Sequence, residues 1–463
     1  MADVLWTSDD IARATGGRVA GGAFEATGVS IDSRAVDPGD LFVALTGERD
    51  GHLFAPGART AGAAGVLASS PVEGPHVLVP DTLKALEAMG VAARDRSLAI
   101  RAAVTGSVGK TSVTQAIAAG LAGAGRWHSS VKSYNNHIGV PLTLARMPWA
   151  TQRAVFEIGM NHADEITPLS KMVRPQVVVV TTVGPVHTEN FPDGEAGVAR
   201  AKAEIFDGIE PDGVAVLNAD NPWFEMLSQS ARAAGARVVS FGGGEGCDAR
   251  LVDFRAAHGA ASVRAVIHGE PVAYPLLQTG LHWGLNSLCA LLALEAMDVD
   301  RATALDALAG FAPLAGRGAE RTVRIAGGAF TLIDESYNAN PISMAAALKT
   351  LGGRQERGRR IVALTDMLEL GAEALGYHAA LAEPIEAADV DLVFCAGPMM
   401  KSLWDALPPT RRGGYAEAAA DIAPAIASAV QPGDLVMVKG SNGSRASAIA
   451  AALAALDVTG GTT

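Results

Sequence analysis

Residues Ile100 to Thr105 form an apolar run that passes straight into Gly106-Ser-Val-Gly-Lys-Thr111, and the residues after it, Ser112 to Leu121, favour a helix. Strand, glycine loop and helix in that order turn backbone N–H groups and the positive end of a helix dipole toward a polyphosphate. Lys110 adds a point charge, and the Thr111 hydroxyl is available to Mg²⁺. The strand–loop–helix context argues against a loop that merely turns. The chain is thereby committed to nucleoside triphosphate chemistry, with Gly106, Ser107, Val108, Gly109, Lys110, Thr111 and Ser112 as candidate phosphate contacts. One departure is informative. The usual motif has a glycine five positions before Gly109, and here that position is Val104, so the loop is a shortened one.

A chain of 463 residues exceeds what one core usually serves, so two or three domains are expected. Hydrophobic content of 49% with 19% charge describes an ordinary globular protein without a disordered tail. The net charge of −12 argues against wrapping nucleic acid or docking on anionic lipid, both of which need basic patches. An anionic substrate is compatible only if its charge is met locally. Cys247, Cys289 and Cys395 lie far apart without metal-ligand spacing and read as reduced, buried thiols. The N-terminus lacks a basic start and an apolar core, so no signal peptide is expected. The longest apolar stretch, Leu285 to Met297, is broken by Asn286 and Glu295 and is too short to span a bilayer. A soluble, cytoplasmic, monomeric protein is expected, with neither nucleic acid nor membrane as partner.

The first 97 residues hold short strand-like runs broken by Gly, Pro and Asp, with one helix over Thr82–Ser97. From Leu98 strands and helices alternate: Ala154–Ile158, Val177–Val183, Val214–Leu217 and Arg237–Phe241 are continuous apolar runs, as a buried parallel sheet requires. Ala302–Leu308 closes this block as a helix, and Phe311–Gly316 reads as a linker. A second alternating block places strands at Thr331–Ile333, Ile361–Leu364, Leu392–Ala396 and Leu435–Val438, with a last helix over Arg445–Leu456. The expected fold class is therefore α/β with three domains. These are a small N-terminal α/β substrate domain (1–97), a central P-loop ATPase-like parallel-sheet domain (98–313) and a C-terminal Rossmann-like domain (314–463).

Ligands of open parallel sheets lie outside the carboxyl ends of the strands. Polar residues of interest gather at those ends: Lys110, Glu157 and His187 in the central block, and Asp334, Glu335, Asp366 and Lys439 in the last one. Each alone has an ordinary reading, a strand-end acid as a helix cap or a histidine as a satisfied structural group. Together they favour a site between the two sheets. Gly197–Phe206 reads as an amphipathic helix on which Lys202 is expected to be solvated surface. Its flank of Ala201, Ala203 and Ile205 leaves a buried lysine open, and buried lysines shift pKa and are chemically modifiable.

A phosphate loop alone does not choose between motors, kinases and ligases. Motors usually place an Asp at the end of a neighbouring apolar strand, whereas Val177–Val180 ends in Thr181 and Thr182. Glu157 and His187 can serve as Mg²⁺ ligands beside Thr111. If the acceptor is a carboxylate, two unit charges at ~4 Å repel by about 4 kcal/mol at an effective dielectric of ~20. Left uncompensated, that costs roughly a thousandfold in rate. One or two divalent ions with Lys110 would offset it. The acyl phosphate so formed hydrolyses readily, so the site must exclude water, which closing one sheet domain over another achieves.

At this point the residues resemble a known family, the Mur ligases of bacterial cell-wall synthesis. The resemblance is carried by Thr105–Thr111 with Glu157, His187 and Ala201-Lys202, and by Asn135–Leu144, Asp334–Pro341, Asp366–Gly371 and Val438–Ser441. Asp32-Ser-Arg34, Gly39–Leu45 and Gly47–His52 also match, so it spans essentially the whole chain. It implies an ATP-dependent amide ligase that joins D-alanyl-D-alanine to UDP-N-acetylmuramoyl-tripeptide through an acyl phosphate. It further implies ATP phosphates on Lys110 and the loop, and Thr111 with Glu157 on one Mg²⁺. His187 and a carbamylated Lys202 would hold a second. Adenine would lie on Asn286, the γ-phosphate on Arg317, and the ribose and base region on Asp334 and Asn338. The UDP-sugar end would meet Ser30, Asp32, Ser33, Arg34, Arg49 and His52, and the sugar or peptide Asn135 and Asn136.

The chain departs from the family pattern at Trp283, where Asn follows His, at Thr365, where Gly precedes Asp366, and at Phe191-Pro-Asp193 in place of Phe-Gly-Ser. The sister ligase that adds lysine or diaminopimelate carries Asp-Asn-Pro-Arg in its C-terminal domain, but here Asp220-Asn-Pro222 lies in the central block and precedes Trp223. Folylpolyglutamate synthetase shares the loop and lacks the N-terminal substrate domain. A catalytically idle nucleotide-binding partner would have lost metal or phosphate residues, and Lys110, Glu157, His187 and Lys202 are all present.

Overall fold

Val-rich and Ala-rich runs with both faces covered build three large sheets in succession along the chain, beside a two-stranded pair of Trp6–Thr7 with Glu25–Ala26. The computed structural model describes residues 3–131, 133–257, 259–354 and 358–458. The central sheet has nine strands, in the order Glu270–Leu276, Ala260–Ile267, Ala249–Ala257, Arg237–Gly242, Val214–Asn218, Val177–Val180, Ile100–Thr105, Arg153–Glu157, Trp127–Ser129. From Trp127–Ser129 through Ala249–Ala257 every pairing is parallel. The last two strands form an antiparallel ribbon in which Ala261, Val263, Ala265 and Ile267 face the core and Ser262 and Arg264 face water. Strand Ile100–Thr105 sits inside the parallel block between Val177–Val180 and Arg153–Glu157, so chain order reverses there and a crevice opens beyond its carboxyl end.

The C-terminal sheet has six strands: Ala319–Ile325, Gly328–Glu335, Leu435–Lys439, Arg360–Thr365, Leu392–Ala396 and Arg412–Ala416. All but the first pair are parallel, and two apolar clusters cover its two faces. The N-terminal sheet has five strands, in the order Arg18–Ala20, His76–Leu78, Gly65–Ala68, Asp40–Val43, Gly28–Ser30. Most expected strands are present within a residue or two of their expected ends. The antiparallel ribbon and the edge strand Ala319–Ile325 are additions to the strictly alternating pattern.

The two junctions between lobes differ in kind. Helix Gly139–Ala145 of the central lobe lies against helix Thr82–Asp95, and Leu142 and Ala145 belong to the same buried cluster as Trp6, Leu86 and Met89. Arg96 is sandwiched between the rings of Trp6 and Trp149, at 4.0 and 4.4 Å, and donates to the carbonyl of Leu5 at 3.0 Å. The C-terminal lobe meets the central one mainly through polar contacts, among them Leu281 N–H to Thr350 Oγ1 at 3.1 Å and Thr279 to Glu320.

Candidate active site

The phosphate loop owes its shape to two glycines. Gly106 has φ 148° and packs so closely on Thr181 that a Cβ there would lie 2.0 Å from Thr181 Oγ1. Gly109 has φ 89° and precedes helix Lys110–Gly123, whose N-terminus carries no side-chain cap. The first N–H groups of that helix are therefore free to bind an anion. Thr181 and Thr182, at the end of the neighbouring strand, brace the loop. Thr181 Oγ1 donates to the Val108 carbonyl at 2.5 Å and Ser107 N–H donates to the Thr182 carbonyl at 2.8 Å. Lys110 turns its ammonium inward onto the Gly106 carbonyl at 2.7 Å. Its pKa is lowered by burial, with Glu157 opposing the shift.

A cleft of about 600 Å³ opens above this loop. It is lined from the central sheet by Ser107–Ser112, Glu157, His187 and Asn286, and from the C-terminal sheet by Arg317, Glu335, Asn338 and Lys439. The expected gathering of Lys110, Glu157 and His187 around one space is thus present. Glu157 is 1% exposed. Its Oε1 accepts from Asn135 Nδ2 at 2.7 Å, while its Oε2 is buried without any partner. A buried carboxylate oxygen left unpaired is costly, and its chemistry suits a hard cation. Among the described residues no group of three or more His, Cys, Asp or Glu side chains forms a ready metal cage. Thr111 or a modified side chain would have to complete the set.

His187 adopts φ 54°, and its Nδ1 lies 2.8 Å from Glu369 Oε2. Burial, with Lys110 and Lys202 nearby, lowers its pKa to about 4, so at neutral pH it is a neutral imidazole. Lys202 is a correction to the surface reading. It lies on helix Glu195–Ala203 but is 1% exposed, because that helix packs its 198–202 face into the core beneath the cleft. Burial, and then Lys110, push its pKa well below the usual lysine value.

Other candidates divide. Asn286 faces the loop, its Oδ1 3.4 Å from where a Gly109 Cβ would stand. Trp283, one of the expected departures from the family pattern, turns away from the cleft into the core and packs on Phe311 at 5.7 Å. Arg317 stacks on the Tyr337 ring at 4.0 Å, and Tyr337 Oη bonds Ser133 Oγ at 2.7 Å, which in turn lies 3.4 Å from Thr111 Oγ1. Asp334 does not line the cleft. Its carboxylate accepts from Ser336 N–H at 3.1 Å, and the next residue, Glu335, faces inward and meets Lys439 Nζ at 3.3 Å. Asp366 takes the helix-cap role, accepting from Met400 N–H at 2.9 Å, and burial raises its pKa. Thr365 is accommodated because Gly440 leaves room where a Cβ would sit 1.6 Å from its hydroxyl.

Ser30, Asp32, Ser33, Arg34, Arg49 and His52 lie on the N-terminal lobe, away from the cleft lining. Asp32 caps the short turn Ser33–Ala35 and holds Arg34 through both carboxylate oxygens at 2.9 and 2.8 Å. His52 bonds Asp50 at 2.6 Å and accepts from Ser69 N–H at 2.8 Å, and Arg49 stands over Phe54 at 6.0 Å. Asn135 reaches Glu157, whereas Asn136 spends its Oδ1 on the N–H groups of Ile138 and Gly139 at the start of the following helix.

A P-loop sheet facing a second, mostly parallel sheet across a polar cleft that holds an unpaired buried carboxylate oxygen defines a nucleotide-driven group-transfer protein. Comparison with known proteins narrows this. Family models described as Mur ligase family catalytic domain, Mur ligase middle domain, and Mur ligase glutamate ligase domain match residues 25–102, 104–294 and 320–442. The chain is 35% identical over 82% of its length, and 83% of the relative's, to UDP-N-acetylmuramoyl-tripeptide–D-alanyl-D-alanine ligase of Escherichia coli. It is 31% identical over 94% of its length, and 96% of the relative's, to the protein of the same name in Bacillus subtilis. A crystal structure of MurF from Acinetobacter baumannii superposes with a TM-score of 0.85 at 26% identity, covering 97% of this chain and 99% of that one. The chain belongs to the Mur ligase family.

Proposed function

We propose that this protein is an ATP-dependent amide ligase that joins D-alanyl-D-alanine to UDP-N-acetylmuramoyl-tripeptide in the cytoplasmic synthesis of peptidoglycan precursors, working as a monomer. The observation that carries the reading is the unpaired Glu157 Oε2, buried in the same cleft as Lys110, the uncapped helix and His187. That arrangement needs charge from a ligand to be complete. The ligase names of the relatives support the same reading, and no described helix is long and apolar enough to cross a membrane.

The chemistry follows from the charges. The loop amides, Lys110 and Arg317 would hold the ATP phosphates so that the γ-phosphorus faces the tripeptide carboxylate. A carboxylate oxygen bonds to that phosphorus as its bond to the β-phosphate oxygen breaks, releasing ADP. The free amine of D-alanyl-D-alanine then bonds to the acyl carbon, phosphate leaves with the bonding pair, and the nitrogen gives up a proton. Asn286 would receive adenine, Asn338 the ribose side, and the N-terminal lobe the UDP end through Ser30, Asp32, Ser33, Arg34, Arg49 and His52. Asn135 and Asn136 would lie along the sugar and peptide.

Thr111 and Glu157 would hold one Mg²⁺, and His187 a second together with Lys202. When bound, these ions would offset the repulsion between phosphate and acceptor carboxylate. Burial favours the neutral Lys202 amine, the form that would add to CO₂: a new N–C bond forms, a proton leaves, and the resulting carbamate would be an anionic ligand. The reading is tested by measuring phosphate release from ATP with the UDP-linked tripeptide and each candidate amine. Release with D-alanyl-D-alanine is expected. Release only with diaminopimelate or lysine on the UDP-linked dipeptide would replace this activity with that of the sister ligase.

A further inference from the structure

We propose that Glu369, on the C-terminal lobe, is a positioning residue that fixes the ring of His187 for the divalent cation of the reaction. This rests on the reading of His187 as a metal ligand.

A neutral imidazole carries its proton on one nitrogen, and a carboxylate oxygen 2.8 Å from Nδ1 favours it on that atom, since a lone pair there would face the anion. Nε2 is then left as an acceptor for a cation, and His187 and Glu369 both line the cleft. A carboxylate behind a metal-binding histidine is the recurrent way proteins hold tautomer and ring orientation. The backbone supports the assignment independently. His187 and Glu369 both occupy left-handed conformations, φ 54° and 63°, which non-glycine residues hold only where their surroundings impose it.

The surroundings do impose it. The loop that presents Glu369 is pinned on one side by Met367 N–H to His378 Nε2 at 2.9 Å and on the other by Leu368 N–H to Ser441 Oγ at 3.0 Å. Two residues on, Gly371 at φ 61° lies against the turn that follows His187, where an added Cβ would stand 3.0 Å from Glu189 Cβ. The segment Asp366–Gly371 thus has a use beyond closing a strand. Its contact spans 182 positions of sequence (369 − 187) and bridges two lobes. Docking of the C-terminal lobe and cation binding then favour each other, because linkage is reciprocal. Stabilising the fold is not the better account, since the Glu369 side chain is 57% exposed and such pairs contribute little to stability.

The test titrates Mn²⁺ into the full-length protein with a non-hydrolysable ATP analogue, reading free Mn²⁺ by electron paramagnetic resonance. Glu369→Ala should weaken Mn²⁺ about ten- to a hundredfold, with melting temperature and metal-free nucleotide affinity unchanged. Glu369→Gln, whose amide oxygen can stand beside Nδ1 in the same place, should keep most of the affinity. Wild-type Mn²⁺ affinity in Glu369→Ala, or a Gln variant as weak as the Ala variant, would overturn the inference. His187→Ala separates the two levels. If it weakens Mn²⁺ while Glu369→Ala does not, only the role of Glu369 fails; if neither does, the metal reading of His187 fails with it.

Discussion

The polar candidates of the N-terminal lobe and those of the central cleft are opposite in how their bonding capacity is spent. Arg34 is doubly held by Asp32, His52 bonds both Asp50 and the Ser69 amide, and Ser30 donates to backbone carbonyls nearby. Arg34 stands open to solvent, whereas Ser30 is buried with its hydroxyl already bonded. In the cleft, Glu157 keeps an oxygen with no partner and Lys110 rests on a loop carbonyl, while Lys202, in the core beneath, is buried in a state that resists its charge. Solvated groups lose little when a ligand is absent. Buried, unspent groups are tolerated only because a ligand completes them, so the cleft gives up stability for reactivity while the N-terminal lobe does not.

The sharpest way to break this contrast is Lys110→Ala. It should lower the rate of phosphate release by ~1000-fold or more, as expected when a preorganised charge at a reacting phosphoryl group is lost, with an unchanged circular dichroism spectrum. Retained turnover would remove the phosphate loop from the mechanism. Next in size is Lys202. Its Ala variant should be nearly inactive and partly rescued by short carboxylates, and wild type should slow in CO₂-free buffer; a wild-type rate indifferent to CO₂ would exclude the carbamate.

The same residue sharpens the stability side. Because the folded pKa of Lys202 lies below the unfolded value near 10.5, the unfolded chain binds more protons between the two, and this group's contribution to stability rises with pH across that window. Lys202→Met should therefore melt higher than wild type at neutral pH in CO₂-free buffer, by ~2–4 °C for each kcal/mol recovered. A lower melting temperature would mean that the amine is satisfied where it lies. The smallest effect belongs to the exposed lobe. Arg34→Ala should raise KM for the UDP-linked substrate with kcat almost unchanged, and should alter stability by less than about 0.5 kcal/mol.

What the sequence disclosed and what it withheld follow the range of the interactions concerned. The phosphate loop was legible because its strand, two glycines, lysine and helix are contiguous, and each apolar run of the parallel sheets announces itself locally. The antiparallel ribbon at 249–276 was missed although its alternation of apolar and polar residues is regular, because the flanking blocks favoured a βα reading. Lys202 looked like surface since helical spacing cannot tell which face of a short, Ala-rich helix is covered by a distant strand. Glu369, Tyr337 and Ser133 act across lobes, and no local pattern marks them. Asp366 and Glu157 end strands of similar composition, yet one caps a helix and the other keeps a free oxygen; only the chain that follows each decides.

Arg96 held between Trp6 and Trp149, with a core shared across the junction, makes the N-terminal lobe and the central sheet one solid piece. With the uridine on the N-terminal lobe and the γ-phosphate at the phosphate loop, as proposed, the span between them would be a fixed gauge, and any closing motion would fall to the C-terminal lobe. A donor with a stem one residue shorter would leave its carboxylate up to ~3.5 Å short of phosphorus. Length, measured against a rigid frame, would select the tripeptide before any side chain is read.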